Sequence, residues 1–267
     1  MLHFAKMNGA GNDFVLLDNR SGSIRLDARQ IARLCDRHRG VGADGVLLVE
    51  PPQNGADFRM RYYNADGGEA EMCGNGARCF SRYVQRIAGP RESVSFETPA
   101  GLIRATFAGA QVTLDMSRPA GLEWNARIEA GDGPLTVHSL NTGVPHAVVL
   151  VDELDTVDVG RVGSALRFHP HFAPKGTNVN FVQVLAPGSI AIRTYERGVE
   201  GETLACGTGV CAAAIVYAEL TAVEPRVSVR VRGGDILEVS FRRTHDGIGG
   251  VRLTGPADFV FDGEIAV

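Results

Sequence analysis

The sequence predicts an α+β fold of two pseudo-symmetric lobes that arose by internal duplication, each lobe a mixed sheet curled around a central helix. Three observations support this prediction: short strands of alternating residue character, two helices that each follow a glycine pair, and a strand–loop–helix pattern that occurs twice. We place the first lobe at residues 1–116, with a returning C-terminal strand within residues 256–267. The second lobe then covers residues 117–255.

Three segments show the strand signal clearly. Residues 57–63, 189–195 and 227–231 each alternate apolar side chains with small, polar or charged ones. A period of two is typical of strands that bury one face. Their short and frequent spacing favours mixed sheets over a doubly wound parallel sheet.

Two helices are predicted directly after glycine pairs. After Gly74-Asn75-Gly76, apolar residues recur at helical spacing, at Phe80, Tyr83, Val84 and Ile87. After Gly207-Thr208-Gly209, residues 210–218 are apolar on every side. A helix of that composition is typical of a buried position, so we expect the sheet of the second lobe to wrap around it.

The evidence for duplication lies in the segments before these helices. Arg61-Tyr62-Tyr63-Asn64 precedes Cys73-Gly74-Asn75-Gly76, and Arg193-Thr194-Tyr195-Glu196 precedes Cys206-Gly207-Thr208-Gly209. Both pairs are joined by glycine-containing loops of similar length. A weaker third similarity relates residues 11–15 to residues 177–182. Together these matches indicate two equivalent halves.

Composition limits the class of partner. Among 267 residues, 27 Lys and Arg face 31 Asp and Glu, for a net charge of −4. This mild balance, without a basic stripe, argues against nucleic acid or an anionic membrane as the main partner. The five cysteines are an odd number and do not suggest a disulfide framework. With neither a signal-peptide pattern nor an apolar run of membrane-spanning length, we expect a cytoplasmic protein.

Cys73 and Cys206 are the candidate catalytic residues because each lies just before a helix. The first turn of a helix has unpaired N–H groups and partial positive charge, and both stabilise a thiolate. The neighbouring glycines let backbone amides approach an anion such as a carboxylate. Two facing sites of this kind would place one sulfur on each face of the carbon next to that carboxylate. The pattern therefore favours proton exchange with inversion at an α-carbon.

Alternative interpretations exist for the cysteines. A cysteine is often a small buried apolar residue, and this is our interpretation of Cys35, Cys79 and Cys211. A zinc site fits poorly, because the spacings from Cys73 to Cys79 and from Cys206 to Cys211 miss the usual tight knuckle. The sequence also lacks the Cys-x-x-Cys pattern of a dithiol redox site.

Several segments, in order along nearly the whole chain, resemble the diaminopimelate epimerase family. They are residues 6–14, 63–67, 72–79, 176–181, 195–198 and 205–209, which include Met72-Cys73-Gly74-Asn75-Gly76 and Ala205-Cys206-Gly207-Thr208-Gly209. The resemblance implies interconversion of LL- and meso-2,6-diaminoheptanedioate on the route to lysine and peptidoglycan. It further implies an active site in the cleft between the lobes, no cofactor or metal, and a homodimer.

The same resemblance implies roles for individual residues. Cys73 and Cys206 would be the acid/base pair, and amides of Gly74, Asn75, Gly207 and Thr208 would hold the reacting carboxylate. Asn64, Asn178 and Arg197 would grip the distal end of the substrate, with Asn12 and Glu196 lining the site. His146 and Glu196 would tune the pKa of the thiols, although residues 142–146 also fit a plain turn.

Two departures from the family pattern concern the distal end of the substrate. Val144 stands where many members have an asparagine, and Gly45 stands where some have a glutamine. A proline or hydroxyproline racemase shares the paired cysteines but lacks the context of Tyr195-Glu196-Arg197-Gly198. A phenazine-type isomerase of this fold would not keep both cysteines. A protein that binds amino-acid carboxylates without turnover is the alternative from a different class.

Overall fold

The protein divides into two compact units. The structure is a computed structural model and describes residues 1–130 and 133–267. The first unit comprises Met1–Leu114 and Thr254–Val267, and the second comprises Asp115–Leu253. Across the described ranges, every helix is too short or too polar to cross a membrane.

The first unit contains two helices and a mixed sheet. Its helices are α1 (Ala28–Cys35) and α2 (Gly74–Ala88). Its strands up to the middle of the chain are β1 (Leu2–Gly9), β2 (Asn12–Asp18), β3 (Gly45–Glu50), β4 (Phe58–Asn64), β5 (Glu69–Ala70), β6 (Ser93–Thr98), β7 (Gly101–Ala108) and β8 (Gln111–Asp115).

The second unit repeats this composition. Its helices are α3 (Val159–Arg167) and α4 (Gly207–Thr221). Its strands are β9 (Ala120–Ala130), β10 (Gly133–Asn141), β11 (Pro145–Leu150), β12 (Asn178–Ala186), β13 (Ser189–Glu196), β14 (Gly201–Thr203), β15 (Arg226–Arg230), β16 (Ile236–Thr244) and β17 (Gly247–Pro256). The last strand of the chain, β18 (Asp258–Ile265), pairs antiparallel with β1 in the first unit.

Strand pairing shows the duplication element by element. In the first unit, β2 and β3 run parallel on either side of α1, and β4 and β6 run parallel on either side of α2. In the second unit, the pairs β11–β12 around α3 and β13–β15 around α4 are parallel as well. Other pairs, such as β1–β2 and β10–β11, are antiparallel. The predicted fold class, with a mixed sheet in each lobe, is confirmed.

Strand register identifies equivalent positions in the two units. Gly45 pairs with Phe14 on one side and with Asn64 on the other, whereas Asn178 pairs with His146. Because β2 corresponds to β11 and β3 to β12, Phe14 is equivalent to His146. The third similarity, between residues 11–15 and 177–182, is therefore wrong, since it relates β2 to β12. Both segments open a buried strand after a glycine-containing turn, and this shared local context produces the likeness.

The central helices follow from their composition. Helix α2 is amphipathic and buries Ala77, Phe80, Tyr83 and Val84 against its sheet, while Arg86 stays exposed. Helix α4 buries every residue from Val210 to Ala218, at most 1% exposed, and packs against β10, β11, β12, β13, β15 and β16. This confirms the prediction of a helix wrapped by sheet. Many of its side chains are alanine, which lets the strands approach its backbone closely.

Candidate active site

Cys73 caps the N-terminus of α2. Its backbone is extended, at φ −136° and ψ 122°, and its sulfur accepts a hydrogen bond from the amide of Gly76 at 3.5 Å. The chain enters the helix directly after the cysteine, so the amides of Gly74 and Asn75 belong to the first turn, where N–H groups lack partners within the helix. The N-terminus of α2 can therefore stabilise both a thiolate and a bound carboxylate.

A chain of side-chain amides fixes the first turn of α2. Asn75 donates to Asn12 Oδ1 at 2.6 Å, and Asn12 donates to Asp44 Oδ2 at 2.9 Å. At the other end, the fully buried Arg78 donates to Asn75 Oδ1 at 3.0 Å. A carboxylate accepts only and a guanidinium donates only, so the two charged ends determine the orientation of both amides.

Asp44 belongs to an ion-pair cluster beside this chain. Arg37 makes two hydrogen bonds to Asp13, at 2.8 and 2.9 Å, and one to Asp44 at 2.8 Å. Lys6, almost fully buried, lies 2.7 Å from Asp13 and also donates to the Gly42 carbonyl. Burial opposes ionisation of Asp13, but hydrogen bonds from Arg37 and Lys6 and the charges of both outweigh it and hold its pKa at about 2.

Asn64 ends β4 with its side chain exposed, on the strand that pairs with Gly45. A Cβ atom at Gly45 would lie 2.4 Å from the Tyr63 carbonyl oxygen and 2.6 Å from the ring of Tyr62. The buried ring of Tyr62 thus fills the space that a side chain at position 45 would need. This explains why glycine, rather than a longer residue, stands there.

Cys206 caps α4 in the second unit. Its backbone is extended, at φ −121° and ψ 109°, and its sulfur lies 3.5 Å from Thr208 Oγ1. Thr142 donates to the Thr208 carbonyl at 2.8 Å, which ties the residues before β11 to the first turn of the helix. Like Cys73, Cys206 therefore lies where a helix end favours a thiolate.

His146 lies behind the first turn of α4 and is fully buried. Its Nε2 is 2.9 Å from Thr208 Oγ1, and its Nδ1 is 3.1 Å from the amide nitrogen of Asn180. Burial lowers the pKa of His146 to about 3, and the positive charge of Arg197 adds to this effect. The imidazole is therefore neutral at physiological pH.

Gly209 allows the helix to approach this polar group. A Cβ atom there would lie 2.4 Å from Asn180 Oδ1 and 3.3 Å from the ring of His146. The equivalent Gly76 faces Phe14 and Leu47, at 3.4 and 3.5 Å. The two glycines occupy the same place in the repeat, but only Gly209 is required by a close contact.

The other predicted residues of the second unit lie at the start of β12 and around the end of β13. Asn178 donates to the Pro145 carbonyl at 3.1 Å and accepts from the amide of Arg197 at 2.8 Å. The side-chain amide of Asn178 therefore stabilises the turn in which Arg197 lies. Burial raises the pKa of Glu196, although a 2.9 Å hydrogen bond from Thr203 partly opposes the shift.

The predicted residues form two groups. Cys73, Gly74, Asn75 and Asn12 come together at α2, with Asn64 at the end of β4. In the second unit, Cys206, Gly207, Thr208 and His146 come together at α4, with Asn178, Glu196 and Arg197 around the end of β13. Asp44 in the first group, and Asn180 and Thr194 in the second, were not predicted from the sequence. Asn180 could have been predicted, because it is a polar residue two positions after Asn178 and therefore lies on the same face of a buried strand.

The other cysteines are core residues. Cys35, Cys79 and Cys211 are at most 5% exposed. Burial raises the pKa of Cys35 to about 11 and that of Cys79 to about 12, so both thiols stay protonated. In the part of the chain that the structure describes, no three His, Cys, Asp or Glu side chains are grouped to hold a metal ion.

Solved structures share this fold. A phenazine biosynthesis protein of the PhzF family from Bacillus anthracis aligns with a TM-score of 0.73 at 17% identity, over 100% of this chain and 98% of that one. A probable proline racemase from Agrobacterium radiobacter K84 aligns with a TM-score of 0.72 at 18% identity, over 100% and 93%. The protein thus has the duplicated fold found in PhzF proteins and proline racemases.

Sequence comparison gives the family within this fold. The family model for diaminopimelate epimerase matches residues 4–120 and 138–260. Diaminopimelate epimerases from Variovorax paradoxus and Aquifex aeolicus are 43% and 40% identical to this chain, covering 100% and 99% of it and 98% of each relative. The chain belongs to the diaminopimelate epimerase family and is an isomerase, as the motifs predicted.

Proposed function

We propose that the protein interconverts LL- and meso-2,6-diaminoheptanedioate, in the biosynthesis of lysine and peptidoglycan precursors, by moving one α-proton between two thiols. The observation that carries this proposal is that Cys73 and Cys206 each cap the N-terminus of a 15-residue helix at equivalent points of the repeat. Membership of the diaminopimelate epimerase family supports the choice of substrate.

Inversion requires one acid/base group at each face of the α-carbon. In this proposal the thiolate of one cysteine removes the proton while the thiol of the other delivers a proton to the opposite face, and the reverse reaction exchanges their roles. General acid/base assistance contributes on the order of 10²- to 10⁴-fold per group. In this proposal the two helix ends would supply further stabilisation, because their amides and dipoles would face the charge that develops next to the carboxylate.

The remaining site residues would recognise the substrate. Amides of Gly74, Asn75, Gly207 and Thr208 would bind the reacting carboxylate. Asn64, Asn178 and Arg197 would bind the distal amino-acid end, with Asn12 and Glu196 beside it. Arg197 suits this role because a guanidinium pairs with a carboxylate through two hydrogen bonds. His146, which is fully buried, and Glu196, which is partly buried, are both shifted toward their neutral forms and would tune the pKa of the thiols.

Deuterium exchange tests the proposal directly. LL-diaminopimelate is incubated in D₂O with the wild type, Cys73→Ala or Cys206→Ala, and the α-carbon is followed by NMR. We expect exchange with inversion in the wild type and loss of inversion in both variants. Inversion that survives both substitutions contradicts the two-thiol mechanism.

The same experiment separates the alternative functions. Exchange with proline in place of diaminopimelate would show that the protein has the activity of the racemases of this fold. Binding of diaminopimelate without any exchange would indicate a protein that only binds amino-acid carboxylates.

We further propose a homodimer in the cytoplasm, acting without cofactor or metal. An exposed apolar run on β18, formed by Phe259, Val260 and Phe261, supports self-association. Sedimentation velocity tests the dimer, and a monomer at micromolar concentration contradicts it.

A further inference from the structure

A chain of hydrogen bonds leads to the sulfur of Cys206 from the interior of the second unit. It runs from Thr194 through Asn180 and His146 to Thr208, with successive distances of 3.0, 3.1 and 2.9 Å, and ends 3.5 Å away at Cys206 Sγ. Thr194, Asn180 and His146 are each at most 3% exposed. The positions of the protons along this chain decide what Thr208 offers to the thiol.

A backbone carbonyl fixes the first link. The side-chain nitrogen of Asn180 lies 3.0 Å from the Ala147 carbonyl oxygen, which can only accept a hydrogen bond. If the side-chain amide of Asn180 were flipped, its oxygen would face the Ala147 carbonyl oxygen, and neither atom can donate a hydrogen bond. The same orientation leaves Asn180 Oδ1 to accept from the hydroxyl of Thr194. The nitrogen of Asn180 must therefore face His146 as a donor.

The remaining links follow from the first. Because Asn180 donates to Nδ1, that nitrogen carries no proton, and the neutral ring of His146 is protonated at Nε2. Nε2–H then donates to Thr208 Oγ1. The positive charge of Arg197 and the burial of the ring both oppose a second proton on the imidazole. With its oxygen occupied as an acceptor from His146, the hydroxyl of Thr208 can turn its own proton toward Cys206 Sγ.

We propose that Thr208 is a catalytic residue whose hydroxyl donates a hydrogen bond to the thiolate of Cys206, and that Asn180 is a positioning residue that enforces this direction through the tautomer of His146. This inference deepens the proposed function and rests on Cys206 being an acid/base group. A donated hydrogen bond stabilises the thiolate relative to the thiol. Thr208 thus acts on Cys206 with its side chain, in addition to any role of its amide.

The equivalent positions of the first unit have a different character. By register, Phe14, Leu47 and Tyr62 correspond to His146, Asn180 and Thr194. Leu47 pairs with Tyr62 as Asn180 pairs with Thr194. Three positions that are polar next to α4 are thus apolar or aromatic next to α2.

The pH at which Cys206 ionises tests whether the hydroxyl of Thr208 donates a hydrogen bond to its thiolate. We would titrate ultraviolet thiolate absorbance against pH in a Cys73→Ala background, with Cys73→Ala/Cys206→Ala as the blank. Adding Thr208→Val should raise the titration midpoint of the Cys206 thiol by about one pH unit, because a charge-assisted hydrogen bond to the thiolate is lost. Thr208→Ser, which keeps the hydroxyl, should restore it. Thr221→Val, a hydroxyl deletion at the opposite end of the same helix, should leave it unchanged.

The imidazole provides an independent test in the native enzyme. ¹⁵N NMR of labelled histidine should show His146 protonated at Nε2 in the wild type. Asn180→Asp replaces the donor with an acceptor, so it should move the proton to Nδ1 and raise the Cys206 midpoint as Thr208→Val does. A wild-type ring protonated at Nδ1, or an unchanged midpoint in Thr208→Val, overturns the proposal. Neither measurement uses turnover, so failure here is distinct from failure to epimerise diaminopimelate.

Discussion

Glu202 accepts two hydrogen bonds from the guanidinium of Arg193, each 2.7 Å long, and lies four residues before Cys206. The first unit repeats this arrangement: Glu69 accepts two hydrogen bonds of 2.8 Å from Arg61 and lies four residues before Cys73. Each pair ties the short strand that precedes a cysteine to the long strand beside it. In both units, an ion pair therefore anchors the chain just before the cysteine, and we call these four-residue segments, 70–73 and 203–206, the cysteine loops.

Glu202→Gln should loosen the loop before Cys206. The substitution removes the charge but keeps the shape, and since the pair is partly exposed we expect a loss of about 1 kcal/mol in the free energy of unfolding. If the loop positions the thiol, kcat should fall by roughly threefold to tenfold with little change in KM. Urea denaturation and steady-state kinetics measure the two effects.

A matched control exists in the same unit. Glu238 pairs with Arg226 at 2.9 Å on the surface, where the arginine is 72% exposed. Glu238→Gln should leave kcat unchanged. Equal losses of kcat in the two variants would mean that Glu202 contributes nothing specific to the cysteine loop.

Asp13 should make stability depend on acidity. Its pKa lies at about 2 in the folded protein and near 3.8 in the unfolded chain, so the unfolded state binds the proton first as the pH falls. The contribution, on the order of 2 kcal/mol, is fully present above about pH 4 and is lost as the pH falls toward 2. Asp13→Asn should flatten this part of the stability profile, measured by urea denaturation. A profile parallel to that of the wild type between pH 4 and 2, within about half a kcal/mol, would contradict it.

Gly209→Ala should destabilise the protein far more than Gly76→Ala, although the two glycines are equivalent in the repeat. The new methyl group at position 209 meets Asn180 Oδ1 at 2.4 Å, whereas at position 76 its nearest contact is 3.4 Å. We expect a cost of roughly 2–4 kcal/mol for Gly209→Ala and less than about 1 kcal/mol for Gly76→Ala. Thermal and urea denaturation measure both.

Gly201→Ala provides the reference for open space, since no atom lies within 4 Å of the added Cβ. Similar losses in the free energy of unfolding for Gly76→Ala and Gly209→Ala would contradict the prediction, because they would show that Asn180 can move away from the new methyl group at little cost.

Ala222→Gly should stabilise the protein. Ala222 ends α4 in the left-handed conformation, at φ 55° and ψ 24°, which costs an alanine energy that glycine avoids. Part of the gain is offset by the greater freedom of glycine in the unfolded chain, so we expect about 0.5–1 kcal/mol. Thr221→Gly, one residue earlier and inside the helix, should instead destabilise. A lower free energy of unfolding for Ala222→Gly contradicts the argument.

The sequence by itself determined the architecture and the pair of candidate thiols. Helix α4 was predictable because an all-apolar helix has only a buried place to occupy. The two Cys-Gly-x-Gly segments were predictable as helix starts, since glycine pairs and capping residues act within a few positions of each other. These sequence patterns are local, so they can be interpreted without knowing which strands pair.

Only the tertiary structure decided what surrounds each helix end. His146, Asn180 and Thr194 come from three strands, and they meet because β11, β12 and β13 pair in one particular register. That register also makes Phe14 the equivalent of His146 and shows that the similarity of residues 11–15 to 177–182 is wrong. Strand pairing joins residues that are far apart in the chain, and a shift by a single position moves every side chain to the other face. The polar chain behind Cys206 is therefore a consequence of register, which the local pattern of residues does not encode.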